Sequence, residues 1–210
     1  MLLMFSSCQK EILERVSVVQ AECACETPIE QDKLAAVPTA IIGSSTVYLW
    51  NNVENTFGIP VKKFGYSGYG ILDISNRLTS YVSSLKSSQI IIYVGDNDFT
   101  WLGDAEIIRR YKLMVDRAIA QNPQAYIIFI SIKPSWTPSL NARHKYVNGV
   151  IGQYVSSKRN TKFLDVYSKM VLASGAPNPT YFVSKTNIHL SATGYALWKS
   201  LLMDCMLREN

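Results

Sequence analysis

Three stretches of this chain, Thr39–Gly43, Gln89–Val94 and Ala125–Ile132, are apolar nearly end to end instead of alternating apolar with polar. Alternation marks a strand with one wet face. Its loss over five to eight residues marks a strand buried on both faces. Two weaker runs of the same kind lie at Val61–Gly65 and Lys162–Val166. Between the runs the apolar period changes to that of a helix. Ile71, Ile74, Leu78, Val82 and Leu85 fall on one face, as do Ile107, Ile108, Tyr111, Met114, Val115 and Ala118. Further sets are Leu140, Val147, Val150, Ile151 and Tyr154, then Tyr195, Trp198, Leu201, Leu202 and Cys205, the last behind Ser191 as an N-cap. Strands that alternate with helices predict an α/β domain with a parallel sheet of five strands and helices on both faces. The 210 residues fit one such domain, with no internal repeat.

In a sheet of this kind the working residues gather at the C-terminal ends of the strands. Gly43-Ser44-Ser45 follows the first run, Phe64-Gly65-Tyr66-Ser67-Gly68 the second, and Gly95-Asp96-Asn97-Asp98 the third. The chain has two histidines, and one of them, His189, stands in Asn187-Ile188-His189-Leu190-Ser191, just ahead of the last helix. A serine on a strand-end turn with a histidine on a late loop is an arrangement for acyl transfer, which needs a nucleophile, a base and donors for an oxyanion. Ser45 is the candidate nucleophile and His189 the candidate base. The backbone N–H groups of Ser45 and Gly68 and the side-chain amide of Asn97 are the candidate oxyanion donors. Asp98 and Asp165 read as structural hydrogen-bonding residues. His144, between Arg143 and Lys145, reads as a solvated surface residue. Trp50, Tyr66, Tyr69, Trp101 and Trp136 lie on or near the loops of the active edge, with Trp101 and Trp136 placed to stack on a sugar or acyl chain.

The ordered set Gly43-Ser44-Ser45, Gly68, Gly95-Asp96-Asn97-Asp98 and His189-Leu190-Ser191 resembles the SGNH hydrolases, also called GDSL-type esterases and lipases, over residues 38–205. Gly-Ser-Ser in place of Gly-Asp-Ser, and Ser131-Ile132-Lys133-Pro134-Ser135 after the fourth run, resemble the branch of platelet-activating-factor acetylhydrolases. The resemblance implies a flavodoxin-like three-layer α/β/α sandwich and an esterase that uses no metal and no organic cofactor. It assigns the roles of Ser, Gly, Asn and His to Ser45, Gly68, Asn97 and His189. One position departs from the pattern. The family carries an aspartate three residues before its histidine, and here Thr186 stands there. The expectation is a Ser-His dyad in which the Thr186 carbonyl or hydroxyl accepts the Nδ1 proton of His189.

The expected substrate is a carboxylic ester of a short acyl group, such as acetyl, on a carbohydrate or lipid-like alcohol. Longer acyl specificity, as in a lysophospholipase or thioesterase, is the enzymatic alternative. An envelope binding protein that has lost turnover through Thr186 is the non-enzymatic one. A net charge of +5 spread over scattered lysines and arginines leaves no nucleic-acid footprint. No four-cysteine metal spacing is present. Leu2-Leu3-Met4-Phe5-Ser6-Ser7-Cys8 resembles the end of a bacterial lipoprotein signal, though its apolar run is short and no basic region precedes it. Residues 1–37 are then a truncated signal and polar tether, Cys8 is a membrane anchor at the cell envelope, and residues 38–210 form the hydrolase domain. Export permits a disulfide among Cys23, Cys25 and Cys205.

Overall fold

A computed structural model describes residues 38–85 and 87–206. Cys8, the tether to residue 37, Cys23 and Cys25 lie outside the described residues. Five strands form one parallel sheet: β1 (Thr39–Gly43), β2 (Val61–Gly65), β3 (Gln89–Tyr93), β4 (Tyr126–Ile130) and β5 (Thr161–Leu164), in the order β2-β1-β3-β4-β5. β1 and β2 have the bounds expected from their apolar runs. β3, β4 and β5 are shorter because Val94, Ile132 and Val166 continue the apolar run into buried loop, beyond the last ladder pair.

The helices are α1 (Ser45–Tyr48), α2 (Ile71–Leu85), α3 (Asp104–Gln121), α4 (Pro138–Ser156) and α5 (Ala192–Met203). They divide between the two faces of the sheet, and the strand period of two decides which residue meets which layer. Ile42, Ile90, Ile92, Ile127 and Phe129 face one way, against Ile71, Ile74 and Leu78 of α2, Tyr111 and Met114 of α3, and Val147 and Ile151 of α4. Ile41, Ile91, Tyr93, Ile128 and Ile130 face the other way, against Val47, Trp50 and Val53 and against Trp198 and Leu202 of α5. This is the three-layer α/β/α sandwich, with the first reversal of strand order at β1 and β3.

One expectation fails against this packing. His144 is only 3% exposed, because it falls on the buried stripe of α4 with Val147, Asn148 and Ile151. Its charged sequence neighbours, Arg143 and Lys145, point elsewhere: Arg143 reaches Asp104 and the Phe99 and Leu102 carbonyls. Trp50, on the loop after α1, serves the core, packed against Phe57, Tyr195 and Trp198. Cys205 is buried just beyond α5.

α1 is one turn long and leans on the end of β2. A Cβ at Gly65 would overlap the Tyr48 backbone, and it would press on the Val47 carbonyl carbon at 2.8 Å. Backbone cannot rotate away as a side-chain tip can, so only glycine lets α1 lie this close. Gly65→Ala should destabilise the fold by about 1–3 kcal/mol. A domain of this size then loses roughly 2–4 °C of melting temperature per kcal/mol. A thermal melt of the variant checks it, and an unchanged midpoint would show that α1 shifts at no cost.

Candidate active site

Ser44 ends the extended chain of β1, and Ser45 opens α1. The Ser44 carbonyl accepts from the Val47 and Tyr48 N–H groups, at 3.0 Å each, which closes the single turn. Ser45 therefore lies at the C-terminal end of β1 with its N–H at the head of a helix, where it is outside the intrahelical ladder. Ser45 is 8% exposed.

Gly68 lies in the turn after β2 with a φ of +79°, and Asn97 opens the short 3-10 turn after β3. Three hydrogen bonds stitch these two loops together. The Asn97 amide donates to the Tyr69 carbonyl at 2.9 Å. Both Asp98 carboxylate oxygens accept from the Ile71 N–H, at 3.2 and 3.0 Å. The Asp98 carboxylate lies so close to Gly70 that a Cβ there would press on it at 2.9 Å. Asp98 is thus the structural residue that the sequence suggests. Burial, against the opposing pull of the Ile71 N–H, pushes its carboxyl up to about 6.

His189 reaches the same edge on a loop closed by short contacts. Its carbonyl accepts from the Val183 N–H at 3.0 Å, and Leu190 bridges Phe182. Ser191 is the N-cap of α5, accepting from the Gly194 N–H at 3.1 Å and donating to the Thr180 carbonyl at 2.7 Å. From α5 the Tyr195 hydroxyl donates to the Thr46 carbonyl at 2.9 Å, which docks the histidine loop on the serine helix.

The partner of the imidazole is Asn187, and Thr186 does not fill that role. Asn187 Oδ1 accepts from the His189 backbone N–H at 3.1 Å and lies 2.7 Å from His189 Nδ1. A backbone N–H can only donate, so the Asn187 atom facing the histidine is the oxygen, and Nδ1 carries the proton. The second ring nitrogen, Nε2, then holds the lone pair. Thr186 turns away: its hydroxyl lies 3.1 Å from the Ser184 hydroxyl, and its N–H donates to the same oxygen at 3.2 Å. Sequence reasoning assigns Asn187 no role, although an amide two residues before a histidine has the reach for this bond.

A second group missed by sequence lies beneath the serines. Asp96 and Lys133 form a buried ion pair, and the Ser44 hydroxyl donates to Asp96 Oδ1 at 3.3 Å. Burial raises the Asp96 carboxyl, but the charge and hydrogen bond of Lys133, aided by Ser44, hold it below the usual carboxylate range. His189 feels this pair. Its imidazole is pushed below the ordinary value by burial first and the Lys133 charge second, against an opposing pull from Asp96.

Trp101 is 85% exposed next to the Asn97 turn, and Trp136 is half-buried against Phe182. Tyr66 and Tyr69 stack on each other at 4.8 Å with the Arg77 guanidinium over both rings. A groove of about 910 Å³ runs from Trp136 between α4 and the loops after β5, past Pro138, Tyr167, Val171 and Pro177. Among the described residues no group of histidines, cysteines and carboxylates could hold a metal ion.

The family model of GDSL-like lipases and acylhydrolases matches residues 42–197, which is most of the chain. The chain belongs to this family. It is an ester-hydrolysing enzyme with the three-layer fold of its relatives. A GDSL-like lipase from Bacteroides thetaiotaomicron is similar over 95% of this chain and 96% of its own, with a TM-score of 0.65 and 17% identity. A lipase/acylhydrolase from Enterococcus faecalis matches 82% of this chain and 93% of its own, with a TM-score of 0.64 and 18% identity. A family 3 carbohydrate esterase from Clostridium thermocellum matches 80% and 94%, with a TM-score of 0.63 and 12% identity. At these identities the likeness is one of fold. No curated protein matches the sequence.

Proposed function

We propose that this acylhydrolase works through Ser45 as nucleophile and His189 as general base, and that it removes short acyl groups from a carbohydrate or lipid-like alcohol. The observation that carries the mechanism is the Nδ1 contact of His189 with Asn187 Oδ1 at 2.7 Å. It leaves Nε2 unprotonated, so the imidazole accepts the Ser45 proton as Oγ attacks the ester carbonyl. The lowered basicity of His189 keeps this form present through neutral pH. The carbonyl oxygen, now an oxyanion, takes hydrogen bonds from the Ser45 and Gly68 N–H groups and from the second N–H of Asn97, whose first is spent on Tyr69. Collapse of the tetrahedral intermediate releases the alcohol, which takes its proton from the imidazolium. Water activated by the same imidazole then removes the acyl group.

Support for a carbohydrate or lipid-like alcohol comes from Trp101 at the rim of the site and from the carbohydrate esterase and lipase among the structures of like fold. The groove beside Trp136 favours a second reading, in which a longer acyl chain lies against Pro138, Tyr167 and Val171. A series of p-nitrophenyl esters from acetyl to palmitoyl separates the two. kcat/KM should be highest at acetyl to butyryl, and a maximum at eight or more carbons would select the longer-chain reading. Labelling of the protein by a fluorophosphonate should accompany turnover. A folded protein that neither labels nor turns over any ester would overturn both readings.

A further inference from the structure

A buried ion pair adds little stability over well-packed apolar residues, so its presence under a reactive edge calls for another account. Lys133 is 1% exposed and Asp96 9%. The lysine stands on the loop after β4, and that loop is held from three directions. Ile132 exchanges both backbone hydrogen bonds with the Asn148 side chain, at 2.8 and 2.7 Å. The Lys133 carbonyl lies 2.8 Å from His144 Nδ1. A carbonyl can only accept, so His144 donates there. Burial pushes that imidazole down to about 4, so it stays neutral. The Lys133 ammonium contacts Asp96 Oδ2 and lies 3.1 Å from the Tyr93 hydroxyl. The remaining Asp96 oxygen, Oδ1, accepts from Ser44.

His189 contacts Asn187 of its own loop, and the charges of Asp96, on the turn after β3, and Lys133, on the loop after β4, act on it in opposite directions. Around the pair, Tyr93 of β3, which meets the Lys133 ammonium, and Tyr195 of α5 are neutral phenols, Tyr195 pushed up to about 12 by burial and Tyr93 well above its ordinary value, by burial and then by Asp96.

We propose that Asp96 and Lys133 are a matched pair of positioning residues for acyl transfer: Asp96 holds the Ser44 hydroxyl, and with it the turn that presents Ser45, while Lys133 offsets the negative charge that Asp96 alone would set beneath His189. The inference rests on Ser45 as nucleophile and His189 as base. A carboxylate without the lysine would favour the charged imidazole and remove the base. A lysine without the carboxylate would weaken the base and disfavour the imidazolium formed during attack. The pair supplies an anchor for Ser44 with nearly no net charge.

The test is a charge cycle read on the histidine itself. The chain has only two histidines, and the buried His144 titrates near 4, so the proton NMR signal of His189 is separable by its titration. Lys133→Met should raise the His189 midpoint by roughly one pH unit, and Asp96→Asn should lower it by a similar amount. The double variant, Asp96→Asn with Lys133→Met, should return to within a few tenths of wild type. The acid limb of kcat/KM should move with each midpoint, with the loss in activity falling on kcat and little of it on KM. Lys133→Met leaves a buried unpaired carboxylate and Asp96→Asn a buried unpaired ammonium, so both single variants are exposed to misfolding. The double variant keeps the shape and the Ser44 acceptor and buries no unpaired charge, so it carries the test if a single variant does not fold. Midpoints unchanged in Asp96→Asn, or a double variant displaced by a full pH unit, would overturn the inference. Because the titration needs no turnover, it is independent of fluorophosphonate labelling. Wild type that titrates as expected but never labels would refute the roles of Ser45 and His189, and with them the positioning role of the pair.

Discussion

Ser45→Ala should abolish ester hydrolysis and fluorophosphonate labelling while leaving the fold as it is. Loss of the nucleophile from a serine hydrolase costs roughly 10⁶-fold in kcat, so the residual rate should sit near the detection limit. The fold should persist because the turn of α1 is closed by backbone bonds from the Val47 and Tyr48 N–H groups to the Ser44 carbonyl. A methyl group occupies the same buried space. Ser44→Ala is the control. It removes one hydrogen bond from Asp96, which keeps Lys133, so a loss of about 1–3 kcal/mol in stability and a far smaller loss in rate are expected. Steady-state kinetics with probe labelling of both variants decides the register. A dead Ser44→Ala beside an active Ser45→Ala would move the nucleophile by one residue.

The second large effect is a gain. Asn187→Asp exchanges a neutral acceptor for a carboxylate of the same shape at the 2.7 Å contact with His189 Nδ1. The negative charge stabilises the imidazolium that exists only once the serine proton has moved, so the benefit belongs to the transition state and to kcat. A triad aspartate is worth up to about 10⁴-fold in an enzyme built around it. Asn187 is solvent-exposed, which screens the charge, and an increase of roughly 10-fold is the expectation. The same charge raises the His189 midpoint, so the imidazole is protonated to higher pH and the acid limb of kcat/KM moves upward. The variant should therefore gain most above neutral pH and gain least, or lose, below it. Asn187→Ala should lower kcat roughly 10-fold or more, as the ring loses its tautomer and its orientation together. Thr186→Asp should do little, since Thr186 bonds Ser184 and does not meet the ring. Adding His189→Ala to Asn187→Asp should cancel the gain. Equal kcat in wild type, Asn187→Asp and Asn187→Ala would show that Asn187 does not orient the base.

The apolar runs and helical periods carry the architecture because both are local signals. Ile41 and Ile42, or Ile90, Ile91 and Ile92, point to opposite layers simply by strand period. The gathering of the candidate residues is legible for a related reason: parallel strands put their C-terminal ends on one edge, so Ser45, Gly68 and Asn97 lie at one edge by topology. What stays hidden depends on pairs far apart in sequence. Asp96 and Lys133 meet across the ends of β3 and β4, and nothing local to either announces the other. His144 misleads in the opposite way, since its flanking charges suggest solvent. The spacing of 144, 147, 148, 151 and 155 puts it on the buried stripe, where His144 and Asn148 serve loop backbone instead of apolar packing. Thr186 fails as the expected acceptor because the backbone folds Asn187 back on the ring and sends Thr186 to Ser184.

The close seat of α1 on Gly65 ties Ser45, the proposed nucleophile, to the margin of the sheet. Among the described residues β2 has one ladder partner, β1, and stands at the margin of the sheet. Marginal strands open by local excursions far cheaper than global unfolding. Any lifting of β2 from β1 would take from Tyr48 and Val47 the surface beneath them, and would carry Ser45 with it. On warming, this enzyme should therefore lose its rate before it loses its tertiary structure, and the grip of one five-residue strand would then set its working lifetime.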